Sequence, residues 1–523
     1  MISTLIERIA GSGPARFVAD AVFARYARHR VRFLDTADPA ALQERTLLKL
    51  VRHAADTRFG REHDFRNVRS VADYQRCVPL RAYEAFWRDY WQPTFPRIEN
   101  VTWPGRVPYF ALSSGTTSGT TKHIPVTRQM VASNRKGAFT LAALILAGDP
   151  NARLLRGQTF LLGGSTDLKP LSNGSLCGDL SGIAAHEVSA SLRPYMYPPT
   201  ELALLDDWET KVEILAEQSA SLPITLISGV PAWLLTFFDR LLRVTGKRRV
   251  IDVWPTLRAV VHGGCRFDPY RAVFRDVIGS DAVRLIDTYP ASEGYVATED
   301  PRHGLLRLIP DHGVFFEFVP VAELGGANPT RHTIADLEPG VQYAVALTTC
   351  AGLWGYLLGD TVCFEKRDPP LLRFTGRTKY CLSAFGEHLI SDEVEKAVAA
   401  AAADLAASVL DFHVGPVFPT EPGRPGHHRF LIEFSQSPTD AARFAAQLDA
   451  ELQRANASYA SYRVGDVSLG PPEVVAVAAG GFAAWMRSRG KAGGQHKVPR
   501  MDGTGKQTAE MTGQLRTLGF ADA

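Results

Sequence analysis

The first 95 or so residues repeat apolar positions at helical spacing: Leu5, Ile9, Phe17, Val18 and Phe23, then Leu47, Leu48, Val51 and Ala54. Arginine is frequent between them, which reads as the solvated faces of amphipathic helices. From about 100 to 375 the pattern changes. Short apolar runs alternate with helical periodicity and glycine-rich turns, and strands are predicted at 159–163, 225–228, 259–262, 284–288, 315–319 and 343–348. Several end at Gly, Ser or Thr, where functional loops sit in α/β sheets. Beyond about 380 the character changes again. A helix is predicted over 391–410, with Ser391 as its cap and Glu393 and Glu395 in its first turns. Strands at 409–414 and 430–434 and a helix from about 439 to 454 follow, with a Pro/Gly-rich surface loop at 421–426. The expected architecture is α/β: a large N-terminal α/β body with a helical start, and a smaller α+β C-terminal domain.

Composition narrows the function classes. A chain of 523 residues is too long for one ordinary core. Hydrophobic residues make up 45% and charged residues 22%, as in a soluble globular protein. A formal net charge of +3 argues against a nucleic-acid partner. The six cysteines form no C-x-x-C pair, which disfavours zinc and disulfide scaffolds and fits a reducing cytosol. The most apolar window, 138–147, falls short of the roughly 20 residues a membrane span needs. A cytoplasmic location is expected, with neither nucleic acid nor membrane as partner.

The most informative segment is Ser113-Ser114-Gly115-Thr116-Thr117-Ser118-Gly119-Thr120-Thr121-Lys122, followed by the apolar Ile124-Pro125-Val126-Thr127, which reads as a returning strand. Glycines let backbone N–H groups approach a ligand, hydroxyls add donors, and Lys122 adds a positive charge, so the segment suits phosphate oxygens. The second glycine comes one position too early for a Walker A loop. The other reading is a flexible Ser/Thr/Gly linker.

These residues resemble the phosphate-binding motif of the acyl-adenylate-forming superfamily. More closely, they resemble the auxin-responsive family of acyl-acid amido synthetases known from plants, with bacterial relatives. Further segments follow in that family's order. Val261-His262-Gly263-Gly264 resembles the adenine-side glycine turn, although a purely structural turn fits it equally well. Tyr289-Pro290-Ala291-Ser292-Glu293 resembles Y-x-x-S-E, which implies Mg²⁺ on Glu293 with Tyr289 and Ser292 beside the nucleotide. For Glu293 the alternative is an ordinary acid at a helix N-terminus. The segment 352–362 resembles G-L-Y-R-Y-R-x-G-D-V and implies that Asp360 accepts from the ribose hydroxyls. Gly355 and Leu357 stand where plant members have arginines.

Phe374-Thr375-Gly376-Arg377-Thr378-Lys379, then Gly386-Glu387, resembles the superfamily's interdomain hinge. It implies domains at 1–376 and 377–523, a hinge near 376–380, a mobile C-terminal lid, and nucleotide contacts from Phe374 and Arg377. Asn456-x-x-Tyr459, Gly480-Gly481-Phe482 and Gly494-Gln495-His496-Lys497 follow, with His496 replacing a tyrosine. Lys497, or alternatively Lys506 in Gly505-Lys506, is the candidate C-terminal active-site lysine.

The resemblance therefore implies ATP and Mg²⁺ as cofactors. It places Lys122, Lys497 and Glu293 in catalysis, and Ser113, Ser114, Thr116, Thr117, Gly263 and Gly264 around the nucleotide. The implied reaction adenylates a small carboxylic acid and transfers the acyl group to an amine, expected to be an amino acid. Two rivals remain: an acyl-CoA ligase, and a catalytically silent nucleotide-binding homologue.

Overall fold

The computed structural model describes residues 2–113, 122–163, 168–203, 205, 208–263, 267, 271–378, 382, 384–385, 387, 389–418, 425–438, 440–456, 459–460, 463, 469–489 and 498–521. They group into two compact units. The larger covers most of the chain up to Phe374, and the smaller comprises Thr375 onward with Gly359–Thr361.

Up to Arg377 the strands are β1 (Tyr109–Ser113), β2 (Lys122–Val126), β3 (Gln158–Leu161), β4 (Lys169–Pro170), β5 (Leu176–Gly178), β6 (Met196–Tyr197), β7 (Ile224–Gly229) and β8 (Ala259–Gly263). They continue as β9 (Arg284–Ala291), β10 (Gly294–Asp300), β11 (Leu305–Leu308), β12 (Val314–Pro320), β13 (Gln342–Thr349), β14 (Tyr356–Lys366) and β15 (Leu371–Arg377). Among the described residues, eleven of them form one sheet in the order β12-β13-β14-β15-β11-β10-β9-β8-β7-β3-β6, and β2-β1-β5-β4 form a second. All six strands predicted here lie on observed ones, with ends shifted by at most three residues.

The segment β6-β3-β7-β8-β9 is wholly parallel. Its central strands β7 and β8 are mostly buried, and the helices 208–219, 231–245 and 271–278 share one core with Phe160, Ile227, Trp254 and Val260. From β9 the sheet turns antiparallel through β10 and β11. The apolar window at 138–147 lies in the helix Arg128–Gly148, capped by Thr127, and supplies Leu144 and Ile145 to a core. Among the described residues no helix is long and apolar enough to cross a membrane.

The helical start is present, but its apolar faces are only partly buried. Ile9, Phe17 and Val18 are exposed, whereas Ala27, Val31 and Leu34 are the core positions of the helix Gly13–Thr36.

The smaller unit is α+β. Strand β16 (Ser408–Val417) runs antiparallel to β17 (His427–Gln436), and β17 is parallel to β18 (Glu473–Val477) across the helix Ala441–Ala455. Two readings of its first helix need correction. The helix spans Ser391–Asp404 rather than running to 410. Ala406 takes a left-handed φ of 49°, and the Ala407 N–H donates to the Ala402 carbonyl at 2.9 Å, a terminating turn that frees residues from 408 for β16. Nor does Ser391 cap it. Ile390 holds that position, and its N–H is satisfied by Glu393 at 3.0 Å.

Candidate active site

Strands β1 and β2 pair antiparallel, with Ser113 opposite Lys122. This register closes both ends of the hydroxyl-rich segment; Ser114, Thr116 and Thr117 lie outside the described residues. Strand β2 is fastened from the N-terminal helices, where the His123 N–H donates to the Tyr83 hydroxyl at 2.9 Å. The Lys122 ammonium stands 5.1 Å from the centre of the Tyr83 ring. Burial pushes the Tyr83 phenol up to about 12; the His123 hydrogen bond opposes the rise, and the charges of Glu84 and Glu293 add to it.

The carboxyl ends of the parallel strands β8 and β9 carry the next residues. Gly263 ends β8, and a Cβ there would stand 2.5 Å from the Thr288 carbonyl oxygen of β9. Strand packing alone therefore demands this glycine, whatever ligand passes above it. Gly264 lies outside the described residues. Beyond β9, Ala291 pairs with Gly294, so Ser292 and Glu293 form a two-residue hairpin turn into β10. Glu293 is thus not an acid at a helix N-terminus. The residue is 7% exposed, and its carboxylate accepts a hydrogen bond from the Tyr356 hydroxyl at 3.0 Å. Hairpin turns favour Asn, Asp and Gly for their backbone conformation, so the turn itself gives no reason for a buried glutamate. Burial first, then the Glu293 charge and hydrogen bond, hold Tyr356 well above the ordinary tyrosine value. Its phenol stays a proton donor to the carboxylate throughout the working pH range. Tyr289, also buried, meets the Phe374 ring edge-on at 5.4 Å.

Tyr83 and Tyr356 adjoin the candidate residues Lys122 and Glu293, and motif reading did not single them out. Tyr83 belongs to no motif. Tyr356 lies inside the 352–362 segment and became visible only as the partner of Glu293. It is positioned by a bridge to Arg81, whose N–H donates to the Gly355 carbonyl at 3.0 Å and whose carbonyl accepts from the Leu357 N–H at 2.9 Å.

The departure at Gly355 also has a local cause. Its φ is +56°, and a Cβ would meet the Pro79 carbonyl oxygen at 3.1 Å and the Arg331 guanidinium at 3.4 Å. That guanidinium is already engaged: it forks onto Glu317 at 2.9 and 2.7 Å and donates to the Val78 carbonyl at 2.5 Å.

In the smaller unit Asp360 is 3% exposed. The strand around it is tied to the next, with the Thr378 N–H donating to the Gly359 carbonyl at 2.8 Å and the Thr375 and Thr361 hydroxyls 3.0 Å apart. Arg377 ends β15. Several C-terminal motif residues have partners within the smaller unit. Asn456 accepts from the Tyr459 N–H at 2.8 Å and donates to Glu393 at 2.9 Å. Glu433 caps the helix Gly481–Ser488 by accepting from the N–H groups of Gly480 at 2.7 Å and Phe482 at 3.0 Å. Lys506 is the exposed first residue of the helix Lys506–Thr517, in a turn held by Asp502. Lys497 lies outside the described residues.

This fold is that of adenylate-forming enzymes. It matches a solved acyl acid amido synthetase, AtGH3.15 in complex with 2,4-DB, at TM-score 0.77 and 17% identity, over 95% of this chain and 96% of that one. It also matches a 2-hydroxyisobutyryl-CoA ligase solved in its postadenylation state, at TM-score 0.59 and 13% identity, over 93% of this chain and 94% of that one. Sequence profiles narrow the class. Residues 32–162 match the GH3 family N-terminal domain, 307–377 its central domain and 392–504 its C-terminal domain, together more than half of the chain. The chain belongs to the GH3 family. A relative from Oryza sativa subsp. indica, the indole-3-acetic acid-amido synthetase GH3.8, is 31% identical over 235 residues, 40% of this chain and 38% of its own length.

Proposed function

We propose that this protein is an ATP-dependent acyl-acid amido synthetase, which adenylates a small carboxylic acid and passes the acyl group to an amino acid or similar amine. The observation that carries the reading is the buried Glu293 carboxylate. It stands in the turn beyond a parallel strand's carboxyl end, where open α/β sheets bind ligands, with a hydrogen bond from Tyr356. Family membership and the names of the relatives support the same reaction.

In the adenylation step the substrate carboxylate attacks the α-phosphate of ATP and pyrophosphate leaves. The chain's task is to position the reactants and offset the developing charge. Lys122 and the Ser113–Thr117 segment would hold phosphate oxygens, Asp360 the ribose hydroxyls, and Arg377 the ribose or phosphate. Lys497 would reach the reacting carboxylate. Residues 377–523 would act as the moving lid, with its hinge near 376–380.

Mg²⁺ fits the donor set. Glu293 offers hard carboxylate oxygens, and among the described residues no group of three or more His, Cys, Asp or Glu could hold a metal by itself. That suits an ion held by one carboxylate and the nucleotide's phosphates. When bound, it would neutralise phosphate charge.

Pyrophosphate exchange into ATP over a panel of aromatic and aliphatic acids tests the reading. Exchange with a subset of acids, followed by amide rather than thioester when amino acids and coenzyme A are both supplied, is the expected result. Thioester formation would make the protein an acyl-CoA ligase. ATP binding without exchange for any acid would make it a silent homologue.

A further inference from the structure

The helix Gly13–Thr36 turns apolar residues to solvent. Phe17, Val18 and Val22 are 60%, 59% and 63% exposed. They adjoin a half-exposed aromatic cluster in which Tyr26 and Phe139 lie 5.7 and 6.2 Å from Phe23. Single exposed apolar residues are ordinary, but a contiguous patch on one face needs a reason.

This helix is not a loose end. The Arg16 guanidinium donates to the Gly157 and Pro194 carbonyls at 2.5 Å each. Arg30 forks onto Asp311 at 2.7 Å through both nitrogens. The patch is therefore presented by a fixed scaffold.

Charge identifies what could cover it. Arg25, Arg28, His29 and Arg32 continue along the same helix and are all exposed. Its two acids are neutralised locally: Asp20 is buried beside Arg153 and Arg156 at 3.8 and 3.6 Å, and Asp35 pairs with Arg302 and Arg307 at 2.8 and 2.6 Å. The face is thus apolar at one end and basic at the other. Most of the helix also precedes residue 32, where the match to the family's N-terminal domain begins.

We propose that this helix docks the protein on an anionic phospholipid bilayer surface. The apolar end would enter the acyl boundary while the arginines meet headgroup phosphates. A second copy packed in parallel would bring the same arginines against one another, and one packed antiparallel would leave them without an anionic partner. A helix lying in the bilayer interface is a different physical case from a segment that crosses the bilayer. The proposal is independent of the catalytic reading.

The full chain is mixed with vesicles of phosphatidylcholine, alone or with about one-third phosphatidylserine, and the bound fraction is measured by co-sedimentation. Partition onto the serine-containing vesicles should be at least about tenfold stronger, and should fall in about 0.5 M salt. Val18→Glu with Val22→Glu, and separately Arg25→Glu with Arg28→Glu, should each weaken it at least about tenfold, with circular dichroism and Tm unchanged. Equal partition onto both lipids, or unaltered partition in either folded double variant, overturns the proposal. So does a wild-type dimer that becomes a monomer with Val18→Glu and Val22→Glu, which would assign the face to a second copy.

Discussion

Two buried carboxylates, one in each unit, serve different ends. Asp449 of the smaller unit is enclosed by its own neighbours. It takes both arms of Arg463 at 2.8 and 2.7 Å and the Tyr459 hydroxyl at 2.7 Å, while Arg463 also donates to the Leu469 carbonyl at 2.7 Å. This network joins the helix Ala441–Ala455 to the chain that follows it, and every group in it has a structural task. Glu293 of the larger unit sits instead in the tight turn between the interior strands β9 and β10, donated to by a neutral phenol. A phenol steadies a carboxylate without cancelling its charge. Burial alone therefore does not mark a site. The distinction is whether the surrounding fold accounts for the group.

Three substitutions put that contrast at risk. Asp449→Ala leaves Arg463 as a buried cation without its carboxylate and should cost about 3–5 kcal/mol of stability, read from the urea midpoint. Adenylation assayed in the cold on the folded fraction should survive. A negligible stability loss would erase the contrast from the structural side.

Glu293→Ala should do the reverse. Pyrophosphate exchange should fall by about 10²–10³, the scale for losing one group that stabilises transition-state charge, with an urea midpoint close to wild type. Near-normal exchange in that variant would remove Glu293 from the chemistry.

Tyr356→Phe sharpens the comparison with a smaller effect. A hydrogen bond to a charged group is worth about 1.5–3 kcal/mol. Its loss should raise the half-saturating Mg²⁺–ATP concentration, or lower the rate, by about ten- to hundredfold. Unchanged exchange in this variant beside a collapse in Glu293→Ala would reduce Tyr356 to a packing role.

Much of the fold was legible because its signals are local. Strands such as 224–229 and 259–263 are apolar runs closed by glycine, and the parallel sheet buries them on both faces. The antiparallel pairing of β1 with β2 could be expected from the apolar residues after Lys122. Errors arose where a local rule met a competing partner. The alanine-rich stretch after 391 carries no stop signal, yet the helix ends at a left-handed Ala406, because the residues from Ser408 pair with β17. Ser391 looks like a cap, but Glu393 reaches the open N–H from the other side. Gly480-Gly481-Phe482, by contrast, lies within the match to the family's C-terminal domain, and the structure adds that Glu433, 47 residues from Gly480, caps its helix.

The order and spacing of glycine, hydroxyl and charged residues were sufficient, by themselves, to point to the family this chain belongs to and to nominate Lys122, Glu293 and Asp360 as candidates. Chemistry of that kind is written in residue types, which one dimension preserves. The tertiary structure alone assigned Tyr356 to Glu293 and Tyr83 to Lys122, and it turned Phe17, Val18 and Val22 outward. Those outcomes depend on pairings across 63 residues, in the first case, and on which helix face a distant Asp311 anchors. Periodicity along the chain carries no record of either.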